Sequence, residues 1–345
     1  MDRPDRLRAA IIPLMGMFSL LAGPCAKAQT ADAFYQGRTM SIVIGSGPGG
    51  GYDLAGRLVA QFYGQHLGAG VSIIPRNIPG ASSVVAAEWF ANVAPQDGSV
   101  IGVFQPTIVP HKLTEPSAKF EPEKFGWIGR IATAPQFGLV RTDAPAVDLE
   151  AMKQTPVIIA ASSPTGTAAT VPWALNRLIG TQFKVIRGYT SAVTVGLAIE
   201  RNEASGIGST SWEYLETQPT WLRDGKVKII YSISLKRDPK IPDVPTIVEL
   251  GRTEEDRATL KLLAIASTLG RSLVVTPGAP KDRVEHLRKA FDRMVQDPVF
   301  MEEAMKRQII LETASGAEMA NDVSDVMKTP ASIIERLARV TQPAD

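Results

Sequence analysis

Short apolar runs recur along the chain and alternate with Gly- or Ser-rich loops and with stretches of helical periodicity. The runs predict strands at residues 40–44, 71–74, 100–104, 157–161, 184–187 and 227–233. Between them, apolar residues spaced for one helix face predict helices that end near Leu67, Val93, Ile179 and Arg201. This alternation predicts an α/β fold with mainly parallel sheets. An irregular stretch at 106–126 separates two such sets, which suggests two similar lobes.

The C-terminal part has a different pattern. A strand at 273–275 is followed by the turn sequence of residues 276–280 and then by helical spacing at 281–295, 298–307 and 331–340. The apolar faces of these helices are best interpreted as core.

The first residues have the pattern of a secretory signal peptide. Arg3, Arg6 and Arg8 precede an apolar stretch at 9–22, and small residues at 26 and 28 flank Lys27 in a cleavage pattern. We expect residues 1–28 to be removed and the protein to reach the periplasm. The apolar runs are short for a retained membrane anchor. Pro24 puts Cys25, the single cysteine, out of register for lipid attachment.

Charge excludes one class of partner. The whole chain has 37 Lys and Arg against 35 Asp and Glu, and the predicted signal contains four of the basic and two of the acidic residues. The exported chain is therefore neutral, which argues against nucleic acid as a partner. A small anion needs only a few local donors and stays compatible.

One glycine-rich loop suggests anion binding. Residues 45–50 fit G-x-G-x-x-G after a strand and before a helix, which is a dinucleotide fingerprint. Arg76 suits a 2′-phosphate, but Asp53 at the predicted helix start would repel a pyrophosphate, and the periplasm supplies no such cofactor. The same loop suits a carboxylate, because glycine lets backbone N–H groups at a helix N-terminus approach it closely. Asp53 is the expected N-cap.

The second half offers matching loops. Serine, threonine and glycine residues precede one helix at 162–167, and Tyr189, Thr190 and Ser191 precede the next. Helix capping is the simpler interpretation of each. Loops at strand ends nevertheless converge on one crevice in open α/β sheets, so they could present neutral donors to a ligand.

Metal and cofactor chemistry is not indicated. His66, His111 and His286 lack metal-ligand spacing, and there is no cysteine pair or G-x-S-x-G elbow. We expect neither catalytic residues, a metal nor a cofactor.

The chain resembles a known receptor family. Its motifs are residues 38–44, 48–53 with Arg57, 77–81, 95–98, Gly188-Tyr189, 198–203, 244–246 with Glu249 and Gly251, and 277–280. In order and spacing these resemble the extracytoplasmic solute-binding receptors of the tripartite tricarboxylate transporter family, also called Bug receptors.

The resemblance implies a two-lobe type II periplasmic binding protein fold with a ligand cleft between the lobes. Lobe 1 would comprise residues 29–132 and 270–345, and lobe 2 residues 133–269. The implied ligand is a small mono- or dicarboxylate, aromatic ones included, which lobe closure would capture for the permease subunits of the transporter. We expect a monomer.

The resulting ligand-binding prediction groups loop residues from both lobes: Pro48, Gly49, Gly50, Gly51, Tyr52, Asp53, Gln105, Pro135, Ser162, Ser163, Thr165, Gly166, Thr167, Tyr189, Thr190 and Ser191. The chain departs from the family pattern at five positions. The family commonly has glycine where Ser82, Ser83 and Asn202 stand, and also after Gly-Tyr-x, where this chain has Thr190 and Ser191. Two alternatives remain open: an exported NADP-dependent oxidoreductase that uses the glycine loop, and a receptor that presents its ligand to a sensor kinase.

Overall fold

The computed structural model describes residues 30–161, 166–189 and 191–343, so the predicted signal peptide lies outside it. Within these ranges the strands are β1 (Thr39–Ile44), β2 (Ser72–Asn77), β3 (Val100–Val103), β4 (Gly126–Ala132), β5 (Gln136–Arg141), β6 (Val157–Ala161), β7 (Phe183–Arg187), β8 (Gly206–Ser211), β9 (Val227–Ile233), β10 (Arg271–Val275) and β11 (Ala314–Ser315). The α-helices are α1 (Ala31–Tyr35), α2 (Gly51–Leu67), α3 (Val84–Asn92), α4 (Ile108–Thr114), α5 (Thr167–Ile179), α6 (Ala192–Glu200), α7 (Trp212–Glu216), α8 (Pro219–Arg223), α9 (Glu254–Leu269), α10 (Lys281–Met294), α11 (Pro298–Lys306), α12 (Gly316–Met327) and α13 (Ala331–Val340).

The strands form two mixed sheets. The first has the order β11-β4-β10-β3-β1-β2, and the second β7-β6-β8-β5-β9. Pairs of β1 with β2 and β3, and of β6 with β7 and β8, are parallel. Pairs made by β10, β11 and β5 are antiparallel. The expectation of mainly parallel sheets is therefore wrong, since four of the described strand pairs are parallel and five are antiparallel. Strands β5 and β10 each enter from the other sheet and run against their neighbours, and β11 runs against β4.

In each sheet, the end at which most of the strands finish, called its edge below, faces the other sheet. Strands β1, β3 and β4 end at the same edge at which β10 begins, as their pairing directions require. Residues 133–135 lead directly from that edge to the start of β5, where β6, β8 and β9 end. The chain returns through α9 to β10. Loops that follow strands in both sheets thus meet at one junction.

Alternating burial explains why both faces of the first sheet are covered. Ile42 packs into a core with α2, α10 and α11, while the next residue, Val43, packs into a core with α3, α4 and α12. In the second sheet, α5 covers one face and α6, α7 and α8 cover the other. We call each sheet with its covering helices a lobe. Strands buried on both faces read as continuous apolar runs, which is why the sequence identified most of them.

Helix α9 packs against both lobes. Its residues Leu262 and Ile265 lie in the core of the first lobe, and Leu260 and Ala264 in that of the second. A boundary at residue 269 therefore stays a prediction.

The sequence missed strands β4, β5, β8 and β11 and helices α1, α4, α7, α8, α9 and α12. Strand β8 reads G-I-G-S-T-S, with little apolar pattern. Its Gly208 packs where a Cβ would lie 2.1 Å from the carbonyl oxygen of Ala168. Tertiary packing outweighs local preference there.

Candidate functional site

Asp53 anchors the glycine loop that follows β1. Helix α2 begins at Gly51 with Gly50 as its N-cap, so the expectation that Asp53 is the N-cap is wrong. Instead, the carboxylate of Asp53 accepts the Gly49 N–H at 2.9 Å, Arg57 Nε at 2.9 Å and Asn77 Nδ2 at 2.8 Å. Burial raises its pKa, but these bonds outweigh burial and hold the pKa below its usual value. Asp53 thus fixes the loop's shape.

The glycines of this loop have different roles. Gly49 has φ +85°, which favours glycine. A Cβ on Gly51 would lie 2.8 Å from Arg271 Nη2, whereas one on Gly50 would have no neighbour within 4 Å. The N-cap has no side chain to bond the first-turn N–H groups of α2, and a helix leaves those groups without internal partners. They are available to an anion. Pro48, at the loop's exposed tip, contributes no N–H.

Two buried hydroxyls follow neighbouring strands of the first sheet. Ser46 Oγ follows β1 and Thr107 Oγ1 follows the neighbouring β3, and neither has a hydrogen-bond partner among the residues that the structure describes. Between them, Ser83 Oγ donates to the Gly45 carbonyl and accepts the Gln105 N–H, both at 2.9 Å. The backbone of Gln105 is therefore used to join the ends of the two strands.

Arg271 links the glycine loop to the second lobe. It is the first residue of β10, is 6% exposed and lies beside Gly51, with Cζ 5.9 Å from the centre of the Tyr52 ring. Its Nη2 forms an ion pair with Glu213, which follows β8 in the second sheet. Burial would raise the pKa of Glu213, but Arg271, a backbone N–H and the Ser211 hydroxyl together outweigh burial and hold the pKa below its usual value. Burial raises the pKa of Tyr52 to about 12, so its phenol is neutral at pH 7.

The polar groups on the described part of the second edge bond to one another. Thr167 Oγ1 lies 2.7 Å from Gln136 Oε1 and 2.9 Å from Ser209 Oγ. Gly166 is the N-cap of α5. Ser191 caps α6 reciprocally with Thr194, as the simpler interpretation expected. Tyr189 is half-buried against the core under α6. The predicted contacts Ser162, Ser163, Thr165 and Thr190 lie outside the described residues.

A cavity of about 540 Å³ lies between the lobes, at the first crossing. A volume of this size falls within the range of roughly 300–1,000 Å³ that is usual for small-molecule sites. Of the predicted contacts, Pro135 lines it. Its other walls include Arg130, Trp212, Glu213, Leu235 and Arg271.

The sequence did not point to Arg271, Glu213, Gln136, Ser209, Ser46 or Thr107. One indication was available for Arg271: it is a charged residue at the head of a buried apolar run, directly after Gly270. Glu213 had no local indication, because its role depends on a residue of the other sheet.

The glycine loop does not fit a pyrophosphate. The Gly49 N–H already bonds Asp53, whose carboxylate would face the phosphates, and Arg76 lies 4.7 Å over the Trp89 ring. Among the described residues, no cluster of three or more metal-ligating side chains occurs.

Two mixed sheets with facing edges, joined by two crossings around a cleft, have the two-lobe architecture of solute-binding proteins. The chain belongs to the family described as "Tripartite tricarboxylate transporter family receptor", which matches residues 56–338. Receptors of this family are periplasmic substrate-binding proteins. Within the described residues, no helix combines the length and apolarity that crossing a membrane requires.

Individual relatives support the same family assignment and fold. A Cupriavidus necator protein, "UPF0065 protein in gbd 5'region", is 26% identical over 339 residues, 96% of each chain. The periplasmic binding protein BugD superposes with a TM-score of 0.64 at 20% identity, covering 89% of this chain and 99% of BugD. Malate-bound MatC from Rhodopseudomonas palustris gives 0.60 at 22% identity, covering 88% and 99%. The family and the two-lobe fold inferred from the sequence are confirmed.

Proposed function

We propose that this protein is exported, captures a small carboxylate between its lobes and delivers it to the membrane subunits of a tripartite transporter. The observation that supports this most is the set of unpaired donors on the first-lobe edge: the N-terminus of α2, Ser46 Oγ and Thr107 Oγ1. Such donors suit a carboxylate, which accepts hydrogen bonds only. Bound malate in MatC supports the same ligand class.

Export and ligand capture depend on different parts of the chain. Residues 1–28 would direct export and be removed, which mass spectrometry of the periplasmic protein tests. Cleavage after Ala28 gives an unlipidated chain; a lipid on Cys25 would contradict this part of the proposal. Capture would require the lobes to close by bending at residues 133–135 and at the second crossing.

Calorimetry and thermal unfolding of the chain from residue 29 test the binding function. Malate, adipate and benzoate form the probe set, with glucose and putrescine as neutral and cationic controls. At one hundred times Kd, a ligand that binds only the folded state adds about 2.7 kcal/mol of stability. Stabilisation by a carboxylate and not by the controls is expected. Tight binding of a control with no response to any carboxylate contradicts the proposal.

One substitution links binding to the glycine loop. Gly50→Leu has room in the free protein, since a Cβ there meets nothing within 4 Å and the φ of −85° suits any residue. We expect it to abolish the carboxylate response and to leave the unliganded unfolding midpoint unchanged. A retained response would remove the loop from the site.

A further inference from the structure

The guanidinium of Arg271 is buried at the cleft, and not all of its N–H groups are hydrogen-bonded in the described structure. It is 6% exposed, and its Nε has no partner in the described part of the chain, while Nη2 bonds Glu213. Gly270, with φ +52°, directs the chain into β10 at a point where a Cβ would lie 2.2 Å from the Ala132 carbonyl oxygen. An arginine fork matches a carboxylate with two parallel bonds.

The other basic residues of the cavity are committed elsewhere or lie near solvent, and Lys236, which also lines it, is exposed. Arg130 donates to the carbonyls of Thr268 and Glu312. Arg237 pairs with Glu249, and Lys240 Nζ lies 5.2 Å over the Trp212 ring. Arg271 is therefore the cation that a buried carboxylate would reach.

Glu213 already shows how Arg271 binds a carboxylate. Its side chain comes from the opposite lobe and is 34% exposed, against 7% for Arg271. The more accessible partner is the acid, so a competing carboxylate could take its place while Arg271 stays buried.

An apolar wall adjoins this ion pair. The centre of the Trp212 ring lies 4.6 Å from that of Phe137 with the rings tilted by 56°, and Trp212 Nε1 donates to Asp238 Oδ2 at 2.7 Å, which holds the ring in place. Pro135, Leu235 and Ile310 line the same cavity. An aromatic or aliphatic body fits against this wall better than a hydroxylated one, because apolar burial is favourable.

We infer that Arg271 binds the ligand's carboxylate by displacing Glu213, and that the ligand is a carboxylate whose apolar body lies against Trp212. This rests on the proposed function and deepens it. Glu213 is then an internal competitor that occupies the guanidinium until ligand arrives.

Opposite effects of two charge-removing variants test the inference. Calorimetry with benzoate, phenylacetate and malate would be run on the wild-type chain from residue 29 and on Arg271→Gln and Glu213→Gln. Arg271→Gln should weaken aromatic carboxylates by about 10- to 100-fold, since bonds to a charged group are lost. Glu213→Gln should tighten them by about three- to tenfold, because the competing charge is gone. Phenylacetamide, which is uncharged, should bind neither variant better than wild type.

Arg336→Gln is the matched control. Arg336 pairs with the buried Asp256, and its Nε also has no partner among the described residues, but Arg336 does not line the cavity. It should lower stability without changing affinity. If Arg271→Gln does not fold, Glu213→Gln and Trp212→Leu decide; the latter should weaken phenylacetate more than malate.

Other results would overturn the inference. If both charge variants change affinity in the same direction, the pair acts only as a bridge between the lobes. If neither changes it beyond twofold while carboxylates still bind, Arg271 is outside the site and the proposed function stands. If no carboxylate binds the wild type, the proposed function itself fails.

Discussion

The two facing edges of this protein treat their polar groups differently. On the first-lobe edge, Ser46 Oγ, Thr107 Oγ1 and Arg271 Nε are buried without partners in the described structure, and no side chain caps α2. On the second-lobe edge, Thr167, Gln136 and Ser209 bond one another, and Ser191 caps its own helix. The exception is Tyr214 Oη in α7, which is buried without a partner among the described residues.

Buried donors without partners are costly, at about 1–3 kcal/mol each. A fold retains them where a ligand or water completes the bonding. From this difference we expect the first lobe to present the preorganised binding surface, and the second-lobe edge, where Thr167, Gln136 and Ser209 bond one another, mainly to close over it.

The largest effect should follow from disturbing the start of β10. Gly270→Ala would place a Cβ 2.2 Å from the Ala132 carbonyl oxygen at φ +52°. We expect a loss of about 3 kcal/mol or more in the free energy of unfolding, because strain and a backbone clash add together. Urea unfolding measures it. Gly50→Ala, in open space, should change stability by less than about 0.5 kcal/mol; equal losses in the two variants would contradict the stated cause.

A smaller loss should follow when the charge of Asp53 is removed. Asp53→Asn weakens the bonds to Arg57 and Gly49, for about 2 kcal/mol at pH 7. The folded-state pKa of Asp53 is lowered, so its stabilisation is complete above the unfolded pKa and is lost as pH falls through the folded value. Urea unfolding at pH 7 and pH 3 should show the gap between wild type and variant shrinking in acid. A gap independent of pH would rule out the charge as the cause.

The comparison between edges is sharpest for two threonines. Thr107→Val removes an unpartnered hydroxyl, so stability should stay level or rise by about 0.5 kcal/mol while carboxylate binding weakens. Thr167→Val breaks bonds to Gln136 and Ser209, so stability should fall by about 1 kcal/mol with little change in binding. Unfolding and calorimetry on both variants test this. Identical behaviour of the two would remove the distinction between the edges.

Local patterns predicted most of the strands and the position of the glycine loop at the end of one of them. Strands buried on both faces, such as β1 and β9, gave apolar runs that the sequence shows directly. The glycine loop was found because a strand, three glycines and a helix follow one another. Strand β8 and the role of Glu213 could not be predicted, since both depend on contacts with distant segments.

From the sequence, we expect the departures from the family's glycine pattern to lie in or near loops that face the ligand. The structure adds a conformational fact: Ser82, Ser83 and Asn202, which stand where glycine is common, all have positive φ. Asparagine tolerates this region well, but serine does not. Whether these positions also select the ligand stays a prediction.

Ser82→Gly should give the smallest effect. Ser82 is exposed, with φ 52° and ψ 46°. Glycine relieves a strain of about 1–2 kcal/mol in the left-handed region but loses about 0.5–1 kcal/mol through the freer unfolded chain, for a net gain near 0.5 kcal/mol. Ser83→Gly is the control: φ is 76° there too, but its hydroxyl bonds Gly45 and Gln105, so stability should fall. Thermal unfolding that moved both variants the same way would show that backbone strain and side-chain bonding are not separable at this turn, and would weaken the view that Ser83 organises the first-lobe edge.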